Sequence, residues 1–180
     1  MGKIAFVFSG QGAQYTGMGK ELYECSPAAK AVYDMADSIR KGTSTQCFEA
    51  DKAELSRTVN TQPCVFTADL AAAAAVAEKG IKPDYVAGFS LGEIAALGFA
   101  GVLSNVTAQP YSGSYKELIT RQVESPVQWQ KTVENLIDLG VDTFIEVGVG
   151  KTLAGLIKKI NKEVKVFNVE NKETLEALSI

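Results

Sequence analysis

The stretch Asp84-Tyr85-Val86-Ala87-Gly88-Phe89-Ser90-Leu91-Gly92-Glu93-Ile94-Ala95-Ala96-Leu97 decides the fold. Its first half, residues 84–89, is a short apolar run that reads as a strand. Its second half, from Leu91 to residue 100, is made of good helix formers. The chain therefore turns from strand to helix at Ser90, inside Gly88-Phe89-Ser90-Leu91-Gly92, a G-x-S-x-G sequence. Such an elbow throws the serine hydroxyl out at the top of a sheet, and glycines on either side keep neighbouring backbone clear. Ser90 is thus a candidate nucleophile. The plainer alternative is that Ser90 caps the helix that starts at Leu91, a role serine fills well.

Outward from this turn, strands and helices alternate. Residues 3–9 read as a buried strand closed by Gly10, followed by the tight loop Gly10-Gln11-Gly12-Ala13-Gln14. A helical pattern covers 17–24, and Pro27 opens a helix over 28–40. A polar stretch, 41–45, leads to a short helix near 53–58. A long helix covers 61–79, with Gly80 as its stop. Its Leu70-Ala71-Ala72-Ala73-Ala74-Ala75-Val76-Ala77 run is small on every side, which places it centrally. Residues 105–113 are polar and turn-like, and 115–124 read as a helix. Pro126 opens another helix to 139. Strands at 143–147 and 164–169 flank a helix at 152–160, and a last helix covers 172–178. This order implies an α/β domain with a largely parallel central sheet. Loops after neighbouring parallel strands converge at one edge. The amides of Gln11 and Leu91 then both face the oxygen of a carbonyl attacked by Ser90, as an oxyanion hole does.

Two other glycine patterns fail as nucleotide sites. Gly10-Gln11-Gly12 lacks the third glycine of a dinucleotide fingerprint, because Tyr15 stands there. Gly150-Lys151-Thr152 lacks the first glycine of a phosphate loop, because Ile145 stands there. Composition narrows the classes further. Of 180 residues, 46% are apolar and 22% charged, the balance of a globular domain. A net charge of −3 argues against nucleic acid as partner. No window has the apolar length of a bilayer span, and the N-terminal run does not read as a signal peptide, so a cytoplasmic protein is expected. Cys25, Cys47 and Cys64 show no paired spacing and read as reduced thiols. With no Cys-x-x-Cys pair and no histidine, no zinc site or other metal is expected.

The absence of histidine bears directly on Ser90, which then has no imidazole to take its proton. The sequence resembles the malonyl-CoA:acyl-carrier-protein transacylase family through several motifs. These are Phe8-Ser9-Gly10-Gln11-Gly12-Ala13-Gln14, Gly17-Met18-Gly19, Thr61-Gln62-Pro63 and Gly88-Phe89-Ser90-Leu91-Gly92-Glu93. They continue in Asn105-Val106-Thr107, Ser125-Pro126-Val127-Gln128-Trp129 and Glu146-Val147-Gly148-Val149-Gly150-Lys151-Thr152-Leu153. The resemblance implies a hydrolase-like three-layer α/β core and ping-pong transfer from malonyl-CoA to an acyl carrier protein. No cofactor of the enzyme's own is implied, since phosphopantetheine is carried by the partner. It makes Ser90 the nucleophile, Gln11 and Leu91 the oxyanion-hole amides, and Gln128 the residue whose backbone carbonyl orients a catalytic histidine.

The sequence departs from that family at one join. Members carry a ferredoxin-like subdomain between the parts matching Ser104 and Asn105, and here these two residues are consecutive. The missing stretch holds the histidine base, in a Gly-Pro-x-His segment, and the arginine that pairs with the malonyl carboxylate. The chain therefore reads as a deletion variant: one core domain, 1–104 joined directly to 105–180, with transfer lost or severely impaired. Arg40, Arg57 and Arg121 lie away from the matching arginine position, and Glu93 reads as a helix-face or capping group rather than a substitute base. Two rivals stand beside this reading, an enzyme completed by another chain and a non-catalytic module that binds carrier protein or acyl-CoA. Surface bared by the missing stretch would favour self-association.

Overall fold

A computed structural model describes residues 2–99, 102–103, 120 and 125–180. Its centre is β1 (Lys3–Phe8), whose side chains alternate between two buried faces as a strand requires. Phe6 and Phe8 enter one core cluster, and Ala5 and Val7 the other. On one side β1 pairs in parallel with β2 (Tyr85–Gly88), Phe6 opposite Val86 and Phe8 opposite Gly88. On the other it pairs in parallel with β4 (Val141–Val147), Phe6 opposite Ile145 and Phe8 opposite Val147. β3 (Val102–Leu103) and β5 (Lys165–Val169) complete a parallel sheet of order β3-β2-β1-β4-β5.

Helices cover both faces, as an all-parallel sheet needs. Against Phe6, Phe8, Val86 and Ile145 pack α1 (Lys20–Cys25), α2 (Pro27–Ile39), α3 (Thr43–Glu49), α4 (Lys52–Leu55), α5 (Thr58–Glu78) and α6 (Gly92–Phe99). Against Ala5, Val7 and Phe144 pack α7 (Trp129–Asp138) and α8 (Thr152–Ile160). α9 (Lys172–Ala177) closes the β5 end through Leu175. The result is the α/β domain with a parallel central sheet that the alternation of elements implies, in the three layers that the family resemblance implies. α5 is the central helix, with Cys64, Val65, Ala68, Ala71, Ala72, Ala73, Ala75 and Val76 buried; their small side chains let α2 and α6 approach it. Among the described residues no helix is long and apolar enough to cross a membrane.

Four local differences from the sequence reading have physical causes. α3 occupies part of what reads as a polar stretch; Ser and Thr are weak helix formers, but burial of Thr43 and Cys47 overrides propensity. α5 begins at Thr58 rather than 61 and takes Pro63 inside it. The carbonyl that Pro63 leaves without a helical donor is that of exposed Val59, which water can serve. α7 begins at Trp129, three residues after Pro126, because the Gln128 carbonyl accepts the first helical bond, from Thr132 N–H at 2.9 Å. β3 has two residues and no pattern to betray it. The turn at 105–113 and the helix at 115–124 lie outside the described residues, apart from Thr120, which is helical.

Candidate active site

Ser90 sits between β2 and α6 in the left-handed region, φ 54°, the one non-glycine residue with positive φ among those described. A cap residue takes extended backbone, so this is an elbow conformation rather than an ordinary N-cap. The bend is tight. A Cβ on Gly88 would fall on the Gly92 carbonyl, and one on Gly92 would fall on the Phe8 carbonyl oxygen. The helix starts at once, with Glu93 N–H donating to the Ser90 carbonyl at 3.0 Å. The Ser90 side of the bend is exposed.

The loop after β1 lies against this elbow. Phe89 N–H donates to the Phe8 carbonyl at 3.0 Å, and a Cβ on Gly10 would come within 2.6 Å of the Phe89 carbonyl oxygen. Gln11 is exposed on that loop, its side-chain amide 3.3 Å from the Thr58 hydroxyl. Leu91 follows Ser90 with its side chain against the core. Strand order reverses at β1, since β2 lies to one side and β4 to the other, and ligands bind at such switch points. A cavity of about 250 Å³ opens there, lined by Ser9, Gly10, Gln11, Phe89, Thr152 and Leu153 among others. Gln128 heads α7 beside the elbow, because Trp129 meets Phe89 edge to face with ring centroids 5.7 Å apart. Its carbonyl also accepts from the Thr132 hydroxyl at 3.1 Å.

Two buried carboxylates hold residues that line the cavity, Asp69 through Ser9 and Glu146 through Leu153, and sequence reasoning missed both. Asp69 on α5 accepts from the Ser9 hydroxyl at 2.9 Å and from Val149 N–H at 3.2 Å. It thereby ties the loops after β1 and β4 together from below. Gly148 has to be glycine here: φ is 112° and a Cβ would fall on the Asp69 carboxylate. Burial pushes the Asp69 carboxyl well above the usual range, against the Ser9 and Val149 hydrogen bonds that favour the anion. The signal was present in the sequence, as Asp69 is the one charged residue between Thr58 and Ala77. Asp69→Ala should cost about 2 kcal/mol, since it leaves a buried hydroxyl and a buried N–H without their acceptor. Urea denaturation of the two proteins checks this.

Glu146, on the α8 side of β4, accepts from Leu153 N–H at 3.0 Å and Ala154 N–H at 2.7 Å. It satisfies the orphan amides at the start of α8. Burial raises its pKa from 4.5 to about 7, more than those amides lower it. The folded state then holds this proton over a pH range where the unfolded chain has lost it. Its contribution is present below pH 4.5 and fades as pH rises to about 7, where it is gone. The drop is about 3 kcal/mol by linkage. Glu146→Gln cannot titrate, so its urea midpoint should fall less between pH 4.5 and 7.5 than that of the parent.

Residues 5–121 match the family described as acyl transferase domain. The chain belongs to that family. This acyl transferase domain is 28% identical to the malonyl CoA-acyl carrier protein transacylase of Bacillus subtilis (strain 168), over 304 aligned positions that cover 98% of this chain and 96% of that protein. The chain has 180 residues, so over a third of those positions have no counterpart here. The malonyl CoA-acyl carrier protein transacylase of Synechocystis sp. is 43% identical over 105 residues, 58% of this chain and 36% of that protein. The aligned stretch is thus about a third of that relative. The fold is that of the malonyl CoA-acyl carrier protein transacylase from Clostridium perfringens, with TM-score 0.90 at 24% identity, covering 97% of this chain and 95% of that one.

Proposed function

We propose that this acyl transferase domain is the serine-bearing half of a malonyl-CoA:acyl-carrier-protein transacylase, with severely impaired transfer. The supporting observation is Ser90, held exposed in a left-handed elbow against the loop that carries Gln11. In the full reaction the serine oxygen attacks the thioester carbon of malonyl-CoA. The Gln11 and Leu91 amides receive the oxyanion, coenzyme A leaves as the thiol, and a malonyl ester remains on Ser90. The pantetheine thiol of a carrier protein then attacks that ester. The thiol gives up its proton and Ser90 leaves as the hydroxyl, so the first half needs a group that takes the serine proton and the second one that returns it, and the chain has no histidine for either. The Gln128 carbonyl is the surviving part of the base's support. The domain reads as 1–104 joined to 105–180, with β4 and β5 of the second part completing the sheet of the first.

The test is intact-mass analysis after incubation with malonyl-CoA. Negligible esterification of Ser90 is the expected result. A malonyl adduct that forms at an enzyme-like rate and passes to carrier protein would sink the impaired reading. A cytoplasmic setting, with malonyl-CoA and carrier protein as partners, belongs to the same proposal. So does self-association through the surface beside Ser90, which light scattering checks.

A further inference from the structure

α3 and α5 bring together two cysteines that lie far apart in sequence. Cys47 and Cys64 are both buried, while Cys25 is exposed. The Cys47 thiol points at the Cys64 carbonyl, 3.7 Å away, and the Cys64 thiol lies 3.4 Å from the side-chain oxygen of Gln46, next to Cys47. Each sulfur is therefore aimed across the same helix–helix contact. We infer that Cys47 and Cys64 form a dithiol–disulfide pair, a modification site closed by peroxide and reopened by a dithiol reductant.

The chemistry is set by which sulfur holds the charge. Interaction with Cys47 lowers the Cys64 thiol, with Arg40 adding to it, and Cys47 is pushed up by the same interaction and by burial. Cys64 is thus the more acidic thiol of the pair and the one that attacks. It takes one oxygen of hydrogen peroxide, the O–O bond breaks, and the released hydroxide leaves as water after taking a proton. The Cys47 sulfur then attacks the Cys64 sulfenic sulfur and expels its hydroxyl, which leaves as water with the Cys47 proton. Two thiols lose two electrons and two protons in all, and the peroxide gains them as two waters. Burial admits a molecule of peroxide size during local opening and holds off larger reagents, whereas Cys25 stays open to both.

The bridge would pin the frame under the candidate active site. The Cys47 carbonyl accepts Gly17 N–H at 2.9 Å, which anchors the loop that also carries Gln11. α5 holds Thr58 beneath the Gln11 side chain and Asp69 beneath Ser9.

Peptide mapping tests the site without reference to acyl transfer. The full chain is treated with hydrogen peroxide, unfolded, alkylated and digested. The expected product is a Cys47–Cys64 linked peptide lacking two hydrogen atoms, with Cys25 still alkylated or separately oxidised. In a Cys25→Ser background Tm should rise by roughly 5–10 °C on oxidation, and dithiothreitol should reverse the rise. Cys64→Ala should abolish both effects. Alkylation of Cys47 and Cys64 after peroxide, or bridges formed only through Cys25, would overturn the inference; the mapping of the unsubstituted chain decides this even if a variant fails to fold.

Discussion

Mixed with malonyl-CoA and a holo acyl carrier protein, the chain is expected to move malonyl groups about 10⁶-fold more slowly than a full-length transacylase. A serine hydroxyl attacks poorly unless a neighbour takes its proton as the bond forms. Among the described residues, three buried carboxylates around the elbow are already committed. Glu93 is fully buried in the first turn of α6, Asp69 holds Ser9 and Val149, and Glu146 holds the start of α8. Oriented amides alone can leave a residual of about 10³–10⁴ over the uncatalysed reaction. Radiolabelled malonyl transfer, measured beside the Bacillus subtilis relative, checks the deficit. Ser90→Ala should change the residual rate far less than it changes the relative's rate at the matching serine. A rate within a hundredfold of the relative's would mean that another group takes the proton.

The sheet and most helices were legible because β1 and β2 are apolar runs, glycines stand at or beside the ends of β1, β2 and β4, and parallel order follows from their alternation with helices. α8 matched its sequence bounds of 152–160. α3 was hidden because its Thr43-Ser44-Thr45 start has weak propensity, and its stability comes from burying Thr43 and Cys47. Missing α3 also hid the cysteine pair, since spacing along the chain says nothing of a contact made across two helices. The Ser90 elbow was legible because its chemistry and its backbone constraint lie within five consecutive residues. Asp69 and Glu146 were not, because their roles depend on amides and hydroxyls supplied by other elements. A lone carboxylate in an alanine-rich helix was the one available sign of Asp69.

Gly92→Ala should destabilise the fold by about 4 kcal/mol, beyond the usual range for overpacking because backbone has to yield to backbone. The added methyl would fall on the Phe8 carbonyl oxygen, with the Ser9 carbonyl oxygen 2.5 Å away. The Phe8 carbonyl cannot swing aside freely, because it accepts Phe89 N–H at 3.0 Å where β1 and β2 end. Moving α6 outward instead would separate Ala95 and Ala96 from the core they fill. Gly98, six residues along the same helix, provides the contrast. A Cβ there meets Phe66 and Leu70 at 3.7–3.9 Å, ordinary contact, and the position is exposed. Gly98→Ala should therefore stabilise α6 by about 0.5–1 kcal/mol through helix propensity. Urea midpoints of the two variants, followed by circular dichroism, should move in opposite directions. Equal and small shifts would mean that α6 does not start against the end of β1, and the elbow that exposes Ser90 would lose its physical basis.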